Sequence, residues 1–194
     1  DKPEVALEAE KKGKTDADLA KVTLEIDASP SRLTIRTKYA KTGWLGSVNA
    51  SVHYKLSVPA GARLDKIDSV NSAITVKGVR GPVNVETVNG SITASGLAGE
   101  TRLSSVNGAV AAEFATIADT KKIRMNTVNG SATVTLPKGA GAQVDADSVN
   151  GRVSVDQPIK LGKMRRHSVT GQIGAGGADV SIDTVNGSIA IRES

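Results

Sequence analysis

Thr87-Val88-Asn89-Gly90-Ser91-Ile92 decides how this chain reads, because the same six-residue phrase keeps returning along it. It recurs as Ser69-Val70-Asn71-Ser72-Ala73-Ile74 and as Ser105-Val106-Asn107-Gly108-Ala109-Val110, then again from Thr127, Ser148, Ser168 and Thr184. Aligned on the asparagine position, successive copies are 18, 18, 22, 21, 20 and 16 residues apart. Self-similarity at a period near 20 residues marks a repeat architecture.

The phrase sits between two alternating segments. Four residues before the asparagine position stand Ile67, Val85, Leu103, Met125, Ala146, Arg166 and Ile182. Three residues after it stand Ile74, Ile92, Val110, Ala132, Val153, Ile173 and Ile189. The columns six before and five after are also mostly apolar, and the positions between them are mostly polar. Period-two alternation on both sides implies two strands per repeat, each with one buried face.

Two architectures accommodate that pattern. Asn-Gly between alternating strands is a strong hairpin signal and would give an antiparallel meander. The alternative is a solenoid, in which each repeat makes one coil and the asparagines stack at a corner. A meander separates equivalent residues by two strand spacings, roughly 9–10 Å, whereas a solenoid sets them about 4.8 Å apart. Only the shorter distance rewards repetition of the whole phrase, since stacked amides then hydrogen-bond along the corner.

The solenoid is therefore expected, with Asn71, Asn89, Asn107, Asn129, Asn150 and Asn186 as the ladder and Thr170 interrupting it. Asn and Gly at the corner suggest left-handed backbone there. The valine before each asparagine breaks the alternation and is expected to tuck under the corner. A lone coil buries too little to offset the entropy of ordering it, so neighbouring coils must complete each other.

The expected fold is all-β: a right-handed, parallel, β-helix-like solenoid of about seven coils with an N-terminal β-strand cap. Residues 1–62 supply the cap or begin the stack, and residues 63–194 the repeats, as one continuous domain. Before the repeats, Val22–Ile26, Leu33–Tyr39 and Ser51–Val58 read as strands, and Asp16–Lys21 as a helical turn. Pro30 stops the first of these strands, and a glycine-flanked loop surrounds Trp44. Ser47-Val48-Asn49 imitates the phrase without its downstream pattern. The last coil ends at Ser194 and would leave an unpaired edge open to end-to-end association.

Composition narrows the function classes. Only 2% of the 194 residues are aromatic, so base-stacking platforms are scarce. The net charge of +5 comes from 25 basic and 20 acidic residues mixed along the chain, which is unlike a nucleic-acid-binding tract. With no cysteine, disulfides and thiolate metal sites are excluded. No apolar run approaches the roughly 20 residues of a membrane span. The chain starts at Asp1 without Met and shows no signal peptide, as a trimmed or a processed, exported chain would.

The repeated phrase, its glycine corners and the preceding Tyr54-Lys55-Leu56-Ser57-Val58-Pro59-Ala60-Gly61 resemble a bacterial putative-adhesin family of unknown function with β-strand repeats. The similarity covers roughly Val22 to Arg192, departing at Ser72 for Gly and Thr170 for Asn. It implies a β-solenoid exported to the periplasm or cell surface, and no established catalytic or binding residues.

No stretch assembles a catalytic constellation. Lys163, Arg165, Arg166 and His167 form a basic cluster that would suit an anionic polymer, or a distorted corner that lets Arg166 reach solvent. His53 and His167 are far apart in sequence, which disfavours a histidine metal site. Asp145, Asp147, Asp156 and Asp183 are hard-cation candidates without calcium-loop spacing. Thr75, Thr93 and Thr133 recur four residues after their asparagines, but Ala111 breaks the row, which reads as ordinary β surface. The serine or threonine two before each asparagine reads as a corner hydrogen bonder.

The functional expectation is a non-enzymatic structural or interaction module of the bacterial envelope. It needs no cofactor, metal or nucleic acid and presents a rigid surface to a protein or glycan partner. The alternative is a scaffold that self-assembles through solenoid ends. A polysaccharide-active β-helix enzyme ranks below both.

Overall fold

The computed structural model of the chain describes residues 5–29, 32–40 and 50–194. The expected Trp44 loop, the Pro30 strand stop and the Ser47-Val48-Asn49 near-match lie outside the described residues. The chain divides into two compact units, Lys2–Pro59 and Ala60–Ser194.

In the first unit β1 (Ala6–Gly13) pairs antiparallel with β4 (Ala50–Ser57), and β2 (Val22–Ser29) with β3 (Arg32–Tyr39). One short helix, α1 (Asp16–Ala20), forms at the expected helical turn. The Thr15 hydroxyl caps it by accepting the Asp18 N–H at 3.2 Å, meeting one of the orphan donors of the first turn.

In the second unit most repeats give two strands either side of the Asn-Gly corner. The first strands are β5 (Leu64–Ser69), β7 (Val83–Asn89), β9 (Thr101–Asn107), β11 (Lys122–Asn129), β13 (Ala142–Ser148) and β17 (Ala178–Asn186). Their partners after the corner are β6 (Ile74–Lys77), β8 (Ile92–Leu97), β10 (Val110–Phe114), β12 (Ala132–Leu136), β14 (Val153–Val155) and β18 (Ile189–Glu193). Each set forms its own sheet of parallel neighbours. Val85 lies beside Ile67 and Leu103, and Ile92 beside Ile74 and Val110. Like residues therefore stack and the chain winds; a meander would have paired Val85 with Ile92.

The core is the slot between the two sheets. Val85, Leu103, Met125, Ile182 and Ala146 face Ile92, Val110, Ala132, Ile189 and Val153 across it, all buried. In β5 the register shifts between Leu64 and Ile67, which sets Leu64 beside Val83 and leaves Asp65 outside. A bulge thus spares an aspartate the cost of desolvation in an apolar column.

The stack does not follow chain order. The first sheet runs β5-β7-β9-β11-β17-β13 and the second β6-β8-β10-β12-β18-β14. The last repeat occupies the position next to the Asn129 repeat, and the Asn150 repeat lies outside it. The connection from β12 to β13, residues 137–141, steps across one strand position that β17 and β18 fill.

The repeat at Ser168–Ile173 makes no coil, so six of the seven expected rungs stack in parallel. Its residues form β16 (Ser168–Ile173), which runs antiparallel to β13 and to β15 (Ile159–Met164). The reason lies in its inner columns. A parallel rung would point Met164 and Arg166 into the slot, and a buried guanidinium without a partner is costly. The reversed strand buries Val169, Gly171 and Ile173 and leaves Arg166 exposed. After it, Gly174 and Gly176 carry φ of 55° and 79°, backbone that glycine adopts without strain, and the chain turns into β17 on the other side of β13.

Three further expectations need correction. No described residue other than glycine has positive φ, and the corner glycines after the asparagines are not among the positive-φ ones. The corner is not left-handed. Nor does the valine before each asparagine tuck inward: Val70, Val88, Val106, Val128, Val149 and Val185 are all exposed. In β7, β9, β11 and β17 it occupies the outward position of a strand that continues to the asparagine, and after β5 and β13 it lies just beyond the strand end. Finally, the last coil is interior to the stack, so Ser194 leaves no open terminal coil.

Candidate functional site

The corner carries the most regular chemistry. Asn89 Nδ2 donates to Asn71 Oδ1 at 2.9 Å, Asn107 to Asn89 and Asn129 to Asn107 at 2.8 Å. The file continues through Asn186, which donates to Asn129 at 2.8 Å, and ends with Asn150 donating to Asn186 at 2.9 Å. All six expected ladder residues therefore join one run of amides. Thr170 leaves no gap in it, because its strand is elsewhere.

A second file lies beneath. Ser105 Oγ donates to the Gly90 carbonyl and Thr127 Oγ1 to the Gly108 carbonyl, both at 2.9 Å. Thr184 and Ser148 repeat the contact on Gly130 and Gly187. These hydroxyls are buried and bonded to backbone, as corner pieces should be. The glycine of the phrase exists for close approach: a Cβ on Gly108 would collide with the Gly90 carbonyl. Ser72 is tolerated because β6, which follows it, is the edge strand of its sheet.

Beside the ladder, on the outer face of the first sheet, runs the valine file. Its six members are between 39% and 64% exposed, a contiguous apolar stripe at a position where a monomer gains nothing from it. A shallow trough separates Val106, Val128, Val185 and Val149 from the next outward column, Ser104, Asn126, Asp183 and Asp147. One column further out stand Arg102 and Arg124, then Ser181 and Asp145, in stack order.

Charge on this face is segregated. Over the four central strands, Lys122, Arg124 and Arg102 are exposed on β9 and β11, and Asp145, Asp147, Asp179 and Asp183 on β13 and β17; Asp65, Asp68 and Glu86 lie further out on β5 and β7. Arg102 shares Glu86 at 3.6 Å, while Lys122 and Arg124 have no ion pair with a described residue. Partial burial, with Asp147 and Asp183 as like charges, holds the Asp145 carboxyl above the usual aspartate range. Partial burial also raises Asp183; Asp147 adds to this and the Ser181 hydroxyl opposes it.

The remaining sequence candidates fall elsewhere. Asp156 pairs with Arg192 at 4.0 Å on the second sheet, apart from the other three aspartates. No group of three described His, Cys, Asp or Glu side chains is placed to hold a metal ion. His53 lies on β4 of the first unit and His167 in the second. The outer row of the second sheet reads Thr75, Thr93, Ala111, Thr133, Ala190, Ser154, so it is broken twice.

Lys163, Arg165, Arg166 and His167 are exposed at the turn of the β15–β16 hairpin. What the structure assigns to them is backbone work. The Arg166 carbonyl accepts the Val153 N–H at 3.2 Å and the His167 carbonyl accepts the Ser148 N–H at 2.7 Å. In the preceding rungs the corresponding acceptor is a carbonyl of the next coil, as when Ile92 N donates to Ala109 O. The hairpin thus closes the corner of the outermost coil. His167 Nδ1 also donates to the Gly151 carbonyl, which fixes its tautomer.

Sequence reading missed the valine file and the acid–base division. The first was legible as a third apolar column beside the asparagine. The second was not, since Asp183 reaches Asp147 only because β17 enters the stack out of order.

Comparison with known proteins adds the following. A family model described as Toastrack DUF4097 matches residues 66–192, a span that contains every corner of the ladder. No curated protein matches the chain. Among solved structures, the crystal structure of a "putative cell adhesion protein" from Clostridium sporogenes superposes with a TM-score of 0.58. That likeness covers 97% of this chain and 82% of the other at 13% identity, and at such identity it concerns fold alone.

Proposed function

Because the chain belongs to the Toastrack DUF4097 family, we propose that it is a non-enzymatic interaction module of the bacterial cell envelope. The observation that carries this reading is the outer corner: six exposed valines standing beside six hydrogen-bonded asparagines. Such a surface is pre-organised. Its backbone is held by parallel ladders on both sides, so a partner meets side chains whose ordering cost has already been met in folding. An extended apolar stripe with a polar border suits recognition of a protein or glycan surface. The adhesion label of the solved neighbour favours the same class of role and an exported location.

We read the winding as right-handed, the hand that about 98% of parallel crossover connections take. Association through stack ends remains a second reading. The feature that would favour it is the second-sheet edge at β14, three residues long and met by the β15–β16 hairpin only at the Val153 N–H.

The test is co-sedimentation of the full chain with isolated cell-wall polymer and, separately, capture of envelope proteins. Retention that is lost in Val106→Asp/Val128→Asp, with the melting temperature unchanged, supports the reading. Absence of retention on either material, or retention indifferent to the double variant, overturns it.

A further inference from the structure

We propose that two copies of this chain associate face to face through the outer surface of β5-β7-β9-β11-β17-β13, about a twofold axis parallel to the strands and between β11 and β17. Symmetry and charge on this face favour a second copy as its occupant, and because the dimer covers the same valine file, an envelope partner would have to compete with it.

A twofold rotation about the strand direction reverses the order of the stack and leaves position along each strand unchanged. The valine file of one copy then lies against the valine file of its mate, Val128 against the partner's Val185 and Val106 against the partner's Val149. The same rotation sets β11 opposite the partner's β17 and β9 opposite the partner's β13. Lys122 then faces the partner's Asp179 and Arg102 faces the partner's Asp145, while Arg124 faces the partner's Ser181 with the partner's Asp183 two residues further along the strand. Both halves of the face are satisfied at once, which is the self-complementarity an isologous interface demands. The other in-plane axis, along the stack, would place acid on acid.

Three observations support the occupant being a second copy. Within one chain Lys122 and Arg124 lack an ion-pair partner among the described residues, and no salt bridge engages Asp145, Asp147 or Asp183. Partial burial, with like-charge neighbours adding to it, already disfavours charge on Asp145 and Asp183, and an opposing guanidinium would relieve it. The trough spans the four rungs nearest the axis, so the long arginine side chains have room to cross. The axis is also the midline of the whole sheet, in which β16 and β15 continue beyond β13 and face the partner's β7 and β5; with them included, the strands at about 4.8 Å, each about seven residues long at ~3.3 Å, present roughly 900 Å². A standard interface uses about 800 Å² from each partner.

Sedimentation velocity of the full chain over a concentration series tests this. A dimer is expected whose dissociation constant rises at least about tenfold between about 50 and 500 mM salt. Arg124→Glu and Asp183→Arg should each weaken it about tenfold or more, and the double variant should recover most of the loss. All these side chains are exposed, and a melting curve confirms that each variant is folded. A second readout uses the absence of cysteine. Val128→Cys mixed with Val185→Cys should form a disulfide-linked heterodimer under mild oxidation. Thr93→Cys, exposed on the opposite sheet, should not link with either. A monomer at all concentrations, a dimer blind to salt and both charge reversals, or equal cross-linking through Thr93→Cys overturns the proposal.

Discussion

At the scale of single residues the corner separates two demands that the phrase makes together. Asparagine supplies bonds and glycine supplies room, and the second is less forgiving. Asn107 makes two amide bonds but is exposed, so water can replace them. Asn107→Ala should cost about 1–2 kcal/mol, at roughly 0.5–1.5 per net bond. Gly108→Ala drives a methyl into the Gly90 carbonyl, backbone held by ladders above and below, and should cost about 3 kcal/mol or more. Gly61→Ala is the control, with open space around its Cβ, and should be neutral or slightly stabilising by about 0.4–1 kcal/mol. Chemical denaturation of the three variants checks the order; equal losses at Gly61 and Gly108 would mean that the rungs are not in contact.

The acidic trough makes a prediction of opposite sign to the usual carboxylate. Asp183 titrates above its ordinary value in the fold, so the native state binds more protons than the unfolded chain between the two values. Stability from this group is complete below about pH 4 and is lost as pH rises through the raised value. In dilute solution, where the chain is monomeric, Asp183→Asn should therefore raise the melting temperature at pH 7. The gain should shrink towards pH 3. A variant less stable than the parent at pH 7 would show that Asp183 is paired.

At the scale of elements the β15–β16 hairpin is the piece that ends the first sheet. An uncovered β13 would expose a row of backbone donors and acceptors, the usual route to aggregation. The hairpin covers it with an antiparallel strand, and its tip meets the corner with carbonyls. Of the tip side chains, His167 bonds the Gly151 carbonyl and Arg166 is exposed. Arg166→Ala should change stability by less than about 0.5 kcal/mol, as at most exposed positions. Val169→Asp buries a carboxylate against β13 and should cost about 3 kcal/mol or more and promote aggregation. Unfolding midpoints and light scattering of the two variants distinguish these outcomes.

This hairpin also marks how far the sequence could be read. Strand periodicity, the corner and the ladder were legible because each depends on residues near one another in the chain. Val85 and Ile92 face inward by alternation alone, and Asn89 stacks on Asn71 because their surroundings repeat. The fate of Ser168–Ile173 was signalled by Arg166 in an apolar column, but its antiparallel pairing was not. Direction depends on which neighbour is free, and that is a property of the assembled stack. The same limit hid the acidic trough, since Asp183 and Asp147 become neighbours through the placement of whole strands.

At the scale of the molecule, inserting the last repeat inside the stack changes how the solenoid should come apart. A repeat protein wound in chain order frays from both chain ends, because terminal coils have one neighbour and interior coils two. Here β17 is bonded to both β11 and β13, and β18 to both β12 and β14, although they come after every other repeat in sequence. Val180, Ile182, Ile189 and Ile191 are buried within them. The stack cannot be completed until the last of these repeats arrives, since β13 reaches β11 only through β17. Folding of the Asn150 coil and its hairpin thus waits on contacts of high sequence separation, which slows such pairings. Native-state hydrogen exchange should place the amides of β17 and β18 among the most protected of the repeat unit. Those of β5 and β6, edge strands of their sheets, should exchange soonest. Truncation after Gly177 should expose β13 and β11 together, with loss of protection on both and a smaller effect on β7 and β8. Exchange at β18 as fast as at β6, or a truncated chain that keeps β13 protected, would show that the last repeat is peripheral to the stack.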